Sequence, residues 1–220
     1  MALLTWADLS WDEFIGGLEG YRDHFSGKSR EDEAYVGCLT LMKVRPLRAR
    51  AEGRELVDFL NRWACRLSSV KTPGLIAGWA HDHMSLLEQF EPLTILDAEL
   101  PDHADELGSL HDDLIAHVKA GGVLNMSDAA ASKTLHMLIP DLFVMWDKEI
   151  KRSAPEGYGA YQRQMHSLAR RLAAETGVPD GEVETQLQRR LGYRARKPLT
   201  KYLDEYNWFE AVGRDQLARR

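Results

Sequence analysis

The sequence predicts an all-α protein, a compact bundle of many helices, and three observations favour this fold class. Apolar residues recur at intervals of three and four along most of the chain, which is the period of an α-helix. Residues that begin or end helices stand at the edges of these periodic stretches. Only residues 93–96 and 143–145 have the composition of strands, and neither has an evident partner. We therefore expect helices packed on helices.

The first predicted helix begins after Ser10, because Ser10 and Glu13 have the spacing of a capping box, and its apolar stripe reaches Phe25. A cap at Ser127 or Asp128 begins a short helix that Pro140 ends. The other predicted helices cover residues 31–44, 53–68, 72–90, 101–120, 148–152, 158–176, 180–191 and 198–208.

The chain of 220 residues is long enough to bury a substantial core. Its composition, 44% hydrophobic and 28% charged, excludes a disordered protein. We expect a single domain spanning residues 1–220. A division into lobes 1–120 and 121–220 with a cleft between them is compatible with the helix pattern.

A cytoplasmic location with no membrane partner is expected from three features. The apolar run 138–145 is interrupted by Pro140 and Asp141, and no run approaches the ~20 apolar residues of a membrane span. The first residues lack a basic leader, so no secretion signal is predicted. Cys38 and Cys65 lie in helical patterns and do not resemble a disulfide framework.

The charge of the chain is unevenly distributed. A formal net charge of −6 argues against a protein that coats nucleic acid without specificity. Residues 91–113 contain eight acids and no lysine or arginine, whereas residues 186–201 contain six bases and no acid. A second basic stretch covers residues 43–54. The pattern permits a basic face on an acidic protein, and it equally fits solvated helix faces.

The segment 125–152 is unlike the rest of the chain. Its apolar run ends in Trp146 and Asp147. A carboxylate that emerges from an apolar segment is partly desolvated, which raises its pKa unless a cation or amides compensate, and Lys133 is a candidate cation. In the alternative interpretation Asp147 only caps the next helix and Lys133 is a solvated helix lysine.

Three short motifs follow one another in this segment: Ser132-Lys133-x-Leu135-His136, Pro140-x-Leu142-Phe143 and Trp146-Asp147. Together with the closing residues 202–208 they resemble a pattern of uncharacterised bacterial proteins. The order of hairpin, lysine-bearing helix, apolar turn and aspartate before a basic helix is also similar to the helix-hairpin-helix DNA glycosylases. The Gly-x-Gly hairpin turn of that family is absent from residues 124–128.

The resemblance implies that the hairpin binds DNA phosphates through backbone amides. It also implies that Asp147 assists glycosidic cleavage, and that Lys133 matches the lysine that some members use as nucleophile. The implied activity is a DNA N-glycosylase acting on a flipped, damaged or modified base, including bases of phage DNA, without cofactor or metal. The residues expected to bind DNA or the base are Trp63, Asn125, Ser132, His136, Trp146, Lys148, Arg152, Arg194, Arg196, Lys197, Tyr202 and Trp208.

Two other functions fit the sequence. The runs 81–83 and 111–113 supply His-Asp pairs, which with His24 or Asp147 suggest an HD-type metal phosphohydrolase. The acidic stretch 91–113 suggests instead a non-enzymatic regulatory module that docks a basic partner. Such a module would expose a large apolar patch beside the acidic stretch and would lack a polar pocket at Asp147.

Overall fold

The computed structural model describes residues 4–25, 30–52, 54–154 and 156–219. These residues form an all-helical bundle without any strand, which confirms the predicted fold class. The helices are α1 (Trp11–His24), α2 (Arg30–Lys43), α3 (Leu47–Glu52), α4 (Arg54–Arg62), α5 (Thr72–Asp82), α6 (Met84–Phe90), α7 (Leu100–Ala120), α8 (Asp128–Leu138), α9 (Lys148–Lys151), α10 (Tyr158–Thr176), α11 (Val183–Leu191), α12 (Leu199–Trp208) and α13 (Arg214–Ala218), with a 3-10 turn at Asp180–Glu182 and a π-helical turn at Phe209–Gly213.

Two predicted helices are shorter than their apolar patterns suggest. The helix predicted at 53–68 ends at Arg62, because Ala64 and Arg66 adopt left-handed conformations with φ of 58° and 55°. The helix predicted at 72–90 divides into α5 and α6 at His83, whose ring stacks on Trp79 at a centroid distance of 4.9 Å. The capping box at the start of α1 is formed as predicted.

Helix α8 is buried on every side. All residues from Ala130 to Leu138 are buried, including Lys133 at 4% exposure. The interpretation of Lys133 as a solvated helix lysine is therefore wrong. Helices α2, α3, α4 and α7 surround α8, so no face of it is left for the polar stripe that an amphipathic helix would show.

The two candidate strands are irregular segments, and Ile95 N of the first donates to Asp141 O, two residues before the second, at 2.8 Å. Residues 142–146 are buried without a strand partner. Side chains from α8 and α10 satisfy this buried backbone instead. The bonds join His136 Nδ1 and Phe143 O (2.7 Å), Tyr158 OH and Val144 O (2.8 Å), Tyr161 OH and Met145 O (3.1 Å), and Trp146 N and Ser132 Oγ (2.9 Å).

Helices α7 and α10 pack closely because glycines face each other across their contact. A Cβ atom on Gly159 would overlap the carbonyl oxygen of Ala104, and one on Gly108 would lie 3.1 Å from Gly159 N. This contact brings Tyr158 and Tyr161 beneath the buried segment 142–146. The core cluster includes residues from Leu9 to Tyr206, on both sides of the predicted lobe boundary, and the division into lobes stays a prediction. Among the described residues, no helix has the length and apolar character needed to cross a membrane.

His136 predicts a measurable pH dependence of stability. Burial lowers the pKa of His136 to about 3, from 6.5 for an exposed histidine. Between these pH values only the unfolded state binds the proton, so the free energy of unfolding falls by about 1.4 kcal/mol per pH unit as the pH decreases. In His136→Gln we expect a slope smaller by this amount, measured by urea unfolding at several pH values.

The control for this measurement is His81→Gln, which changes an exposed histidine of α5. It should retain the slope of the wild type. Equal slopes in wild type and His136→Gln would show that His136 does not stay neutral in the folded protein.

Candidate functional site

A pocket of about 360 Å³ lies where α1, the end of α4, α8, α12 and the start of α9 meet. Its walls are aromatic and its floor carries charged side chains. The residues that line it are Tyr21, Phe25, Trp63, Ala64, Lys133, Asp147, Lys201, Asp204 and Trp208.

The first charged pair in the pocket joins Lys133 Nζ and Asp147 Oδ1, 2.5 Å apart. Asp147 occupies the N-cap position of α9, with φ −74° and ψ 159°, but its carboxylate makes no capping hydrogen bond. The capping interpretation is therefore right for the backbone and wrong for the side chain. The Lys133 side chain is 5% exposed and that of Asp147 is 18% exposed, so the carboxylate lies nearer to solvent.

The second charged pair joins Lys201 Nζ and Asp204 Oδ2 of α12, 2.6 Å apart. Lys201 also lies 3.8 Å from Glu205, which in turn accepts a hydrogen bond from Lys197 at 2.6 Å. All four side chains are almost completely buried. Buried ions need partners of opposite charge, and this cluster gives each lysine a carboxylate. The floor of the pocket contains two lysines and two aspartates, with a formal charge of zero.

The Trp63 ring links the two pairs. Lys133 Nζ lies 5.0 Å and Lys201 Nζ 4.7 Å from the ring centroid, which is the range of cation–π contacts. Phe25 approaches Trp208 edge-on at 4.9 Å and forms the aromatic wall with it. The pocket thus presents stacking surfaces above a floor of paired charges.

Trp63 begins a strained strap, residues 63–67, that follows α4. Ala64 and Arg66 are left-handed there, which is uncommon for residues other than glycine. Asn61 holds one end, since its side chain accepts from Leu67 N at 2.6 Å and donates to Leu67 O at 2.9 Å. Asn125 Nδ2 donates to the carbonyl oxygens of Cys65 and Arg66. These contacts hold the strap over the pocket.

The structure brings together four of the residues predicted for the site: Lys133, Asp147, Trp63 and Trp208. Asn125 lies behind the strap and holds it. Asp204 and Lys201 also line the pocket, although neither was predicted as a site residue and Lys201 was noted only within the basic stretch 186–201. Both stand on the same face of α12 as Trp208, at intervals of three and four residues, and that spacing was the available signal.

Four other predicted residues lie outside the pocket, and two of them support the buried segment 142–146. Ser132 and His136 bond to its backbone, and His136 Nε2 lies 2.8 Å from the hydroxyl of Tyr35. Trp146 belongs to the buried segment, and its ring stacks on Tyr161 at 5.8 Å. The buried Tyr202 ring lies 6.0 Å from that of Tyr193. These side chains do not face a ligand in the pocket.

The predicted basic residues occupy different environments. Lys148 and Arg152 are exposed directly after Asp147. Arg194 and Arg196 are also exposed but do not line the pocket, and Arg196 lies 3.6 Å from Glu184. Lys197 is buried against Glu205, which makes it unsuitable for binding a phosphate. The basic stretch 186–201 is therefore only partly a surface.

The features expected for the two alternative functions are not found in the described part of the chain. No group of three or more His, Cys, Asp or Glu side chains that could hold a metal ion occurs there. The large exposed apolar residues of the described ranges are Val44, Val70 and Leu124, which are too few to form a large apolar patch. Asp147, in contrast, does line a polar pocket.

No model of a known protein family matches this chain, and neither does any curated protein or solved structure with which it was compared. Its function is therefore inferred from the geometry of the pocket.

The left-handed strap gives a prediction about stability. Replacing Ala64 by glycine removes the steric cost of a left-handed Cβ, which outweighs the entropy that glycine loses on folding. We expect Ala64→Gly to raise the free energy of unfolding by about 0.5–1 kcal/mol. The matched control is Ala116→Gly in the exposed face of α7, which should lower it by about 1 kcal/mol. Urea unfolding measures both, and a loss of stability in Ala64→Gly would contradict a left-handed Ala64.

Proposed function

We propose that the pocket receives a base flipped out of DNA, and that Asp147 assists hydrolysis of its N-glycosidic bond. One observation carries this proposal: the Asp147 carboxylate, paired with Lys133, lies at the more exposed end of a small pocket with aromatic walls. The resemblance of segment 125–152 to helix-hairpin-helix DNA glycosylases points to the same activity.

The size and walls of the pocket suit a nucleobase. Pockets for small molecules range from about 300 to 1,000 Å³, and 360 Å³ is at the lower end. A base that leaves the DNA stack loses its stacking energy, and the rings of Trp63, Trp208 and Phe25 offer a replacement.

The position of Asp147 suits the chemistry of glycosidic cleavage. Positive charge develops on the sugar as the bond to the base breaks, and a fixed carboxylate stabilises that charge. The same carboxylate can orient a water molecule and accept its proton. Because Asp147 is more exposed than the other charged groups of the pocket, it is placed for the sugar, which stays attached to the DNA outside.

The surface near Asp147 supports contact with DNA. Exposed Arg62 and Arg66 flank the first residues of the strap, and exposed Lys148 and Arg152 follow Asp147. Basic side chains close to a base-binding pocket can neutralise the phosphates on either side of a flipped nucleotide. The turn between α7 and α8, residues 121–127, is placed beside the strap by Asn125 and would supply backbone amides.

The energetic cost of the pocket favours an enzyme over a purely structural or docking module. Burying four charged side chains together is weak evidence for stability, since well-packed apolar residues commonly do as well. Clusters of paired, desolvated charges in a cleft are more typical of functional sites. We place the activity in the cytoplasm and on damaged or modified bases, bases of phage DNA included.

The central prediction concerns Asp147. Asp147→Asn keeps the shape of the side chain but removes the negative charge, so base release should fall by at least about a hundredfold. DNA binding and the helical circular dichroism spectrum should be unchanged. The assay incubates the protein with duplexes that contain damaged or naturally modified bases and identifies released bases by mass spectrometry.

Asp141→Asn is the matched control, because Asp141 lies six residues earlier and is also paired with a lysine, Lys43, at 3.1 Å outside the pocket. It should release bases at the rate of the wild type. If Asp147→Asn is as active as Asp141→Asn, the carboxylate has no part in the reaction.

The role of Lys133 can be separated from that of Asp147. Lys133→Gln should lower base release at least about tenfold, because Asp147 loses the cation that holds it. Lys43→Gln, which breaks the equivalent pair outside the pocket, should have no effect. Borohydride traps an adduct between DNA and protein only if a lysine forms a Schiff base with the sugar.

An adduct formed by the wild type and Lys43→Gln but not by Lys133→Gln would make Lys133 the nucleophile. Base release without an adduct would make water the nucleophile and Lys133 a positioning residue. Full activity of Lys133→Gln would exclude Lys133 from both roles.

A further inference from the structure

Asp204 lines the pocket and has an unsatisfied carboxylate oxygen. Its Oδ2 atom accepts a hydrogen bond from Lys201 at 2.6 Å, whereas its buried Oδ1 atom finds no hydrogen-bond partner among the residues that the structure describes. The side chain is 3% exposed and lines the pocket. Nearly all buried polar atoms in folded proteins have a partner. Several other buried side-chain atoms of the described residues are also unpaired, but Asp204 alone among these residues lines this pocket, which points to a partner supplied by a ligand.

We propose that Asp204 is the residue that determines which base the pocket accepts, because its Oδ1 atom receives a hydrogen bond from an N–H group of the base. The substrate would then be a neutral nucleobase with an imino or amino N–H on the edge that enters first. This inference rests on the proposed function, since it names the substrate class of the same pocket.

The charge of the pocket selects a neutral base over a cationic one. Lys133 and Lys201 balance Asp147 and Asp204, so the floor offers no net negative charge to a cationic ring. The carboxylate of Asp204 can only accept hydrogen bonds, so its Oδ1 atom requires a donor from the ligand. Burial raises the pKa of Asp204, and a donor from the ligand replaces the water that the ionised carboxylate has lost.

The depths of the two aspartates give them different roles. Asp204 is almost fully buried on α12, whereas Asp147 is 18% exposed. A flipped base that enters between Trp63 and Trp208 would place the edge that enters first against Asp204. Its sugar would stay near Asp147. Asp204 is thus assigned to recognition and Asp147 to bond cleavage.

The test compares nucleosides with and without an N–H donor on the base. The base of 2′-deoxyinosine has one N–H, and its N1-methyl derivative has none. The base of 2′-deoxynebularine lacks both the N–H and the 6-carbonyl oxygen but carries no added methyl group. Thymidine and N3-methylthymidine form the equivalent pyrimidine pair. Binding is measured by quenching of tryptophan fluorescence, since Trp63 and Trp208 line the pocket.

We expect the wild type to bind at least one donor nucleoside about tenfold or more tightly than its donor-free analogues. Asp204→Asn places an amide in the same space and should remove this preference. Asp141→Asn is the matched control, because it neutralises a lysine-paired carboxylate that does not line the pocket. It should retain the preference.

Equal binding of donors and analogues by the wild type would overturn the inference, as would a preference that survives in Asp204→Asn or an absence of binding by every nucleoside. The proposed function fails separately. Donor-dependent binding without release of a base from any DNA would reject the glycosylase and retain the role of Asp204. Base release without a donor preference would retain the glycosylase and reject the role of Asp204.

Discussion

The structure depends on a buried stretch of chain, residues 142–146, that is neither helix nor strand. Apolar side chains draw this stretch into the interior, where its backbone has no neighbouring strand to bond to. Side chains of α8 and α10 satisfy this buried backbone. Imidazole and hydroxyl groups donate to its carbonyl oxygens, and the Ser132 hydroxyl accepts from Trp146 N. Because Asp147 is the next residue, these bonds also set where the carboxylate of the site emerges.

The charged floor of the pocket depends on the same hydrogen-bonded arrangement. Helix α8, which bonds the buried stretch through Ser132 and His136, also carries Lys133 to Asp147. Helix α12 brings the second pair, Lys201 and Asp204, to the same cavity. The strained strap closes the cavity with the ring of Trp63. Recognition of an anion, a cation or a neutral ring is decided by this balance of charges, and zero net charge with aromatic walls favours the neutral ring.

Part of the candidate site could be predicted from the sequence, as Lys133 and Asp147 show. Lys133 and Asp147 stand out in the sequence because they are charged residues within or next to an apolar pattern. A charged residue that such a pattern predicts to be buried is a candidate for a functional site. His136 and Trp146 belong to the same motif, yet they hold the backbone and line no pocket. A sequence motif contains both kinds of residue, and local spacing does not distinguish a side chain that supports a site from one that faces its ligand.

By itself the sequence determined the helical class, the capped start of α1, the burial of the stretch before Asp147 and the place of Asp147 ahead of α9, since these follow from apolar period and capping. The tertiary structure alone decided that α4 stops at a left-handed strap and that Lys201 and Asp204 join Lys133 and Asp147 in one pocket. It also left one oxygen of Asp204 without a partner among the described residues. The reason is physical: these features depend on which distant helices pack together, and the packing of side chains between helices is not encoded in any one stretch of the chain.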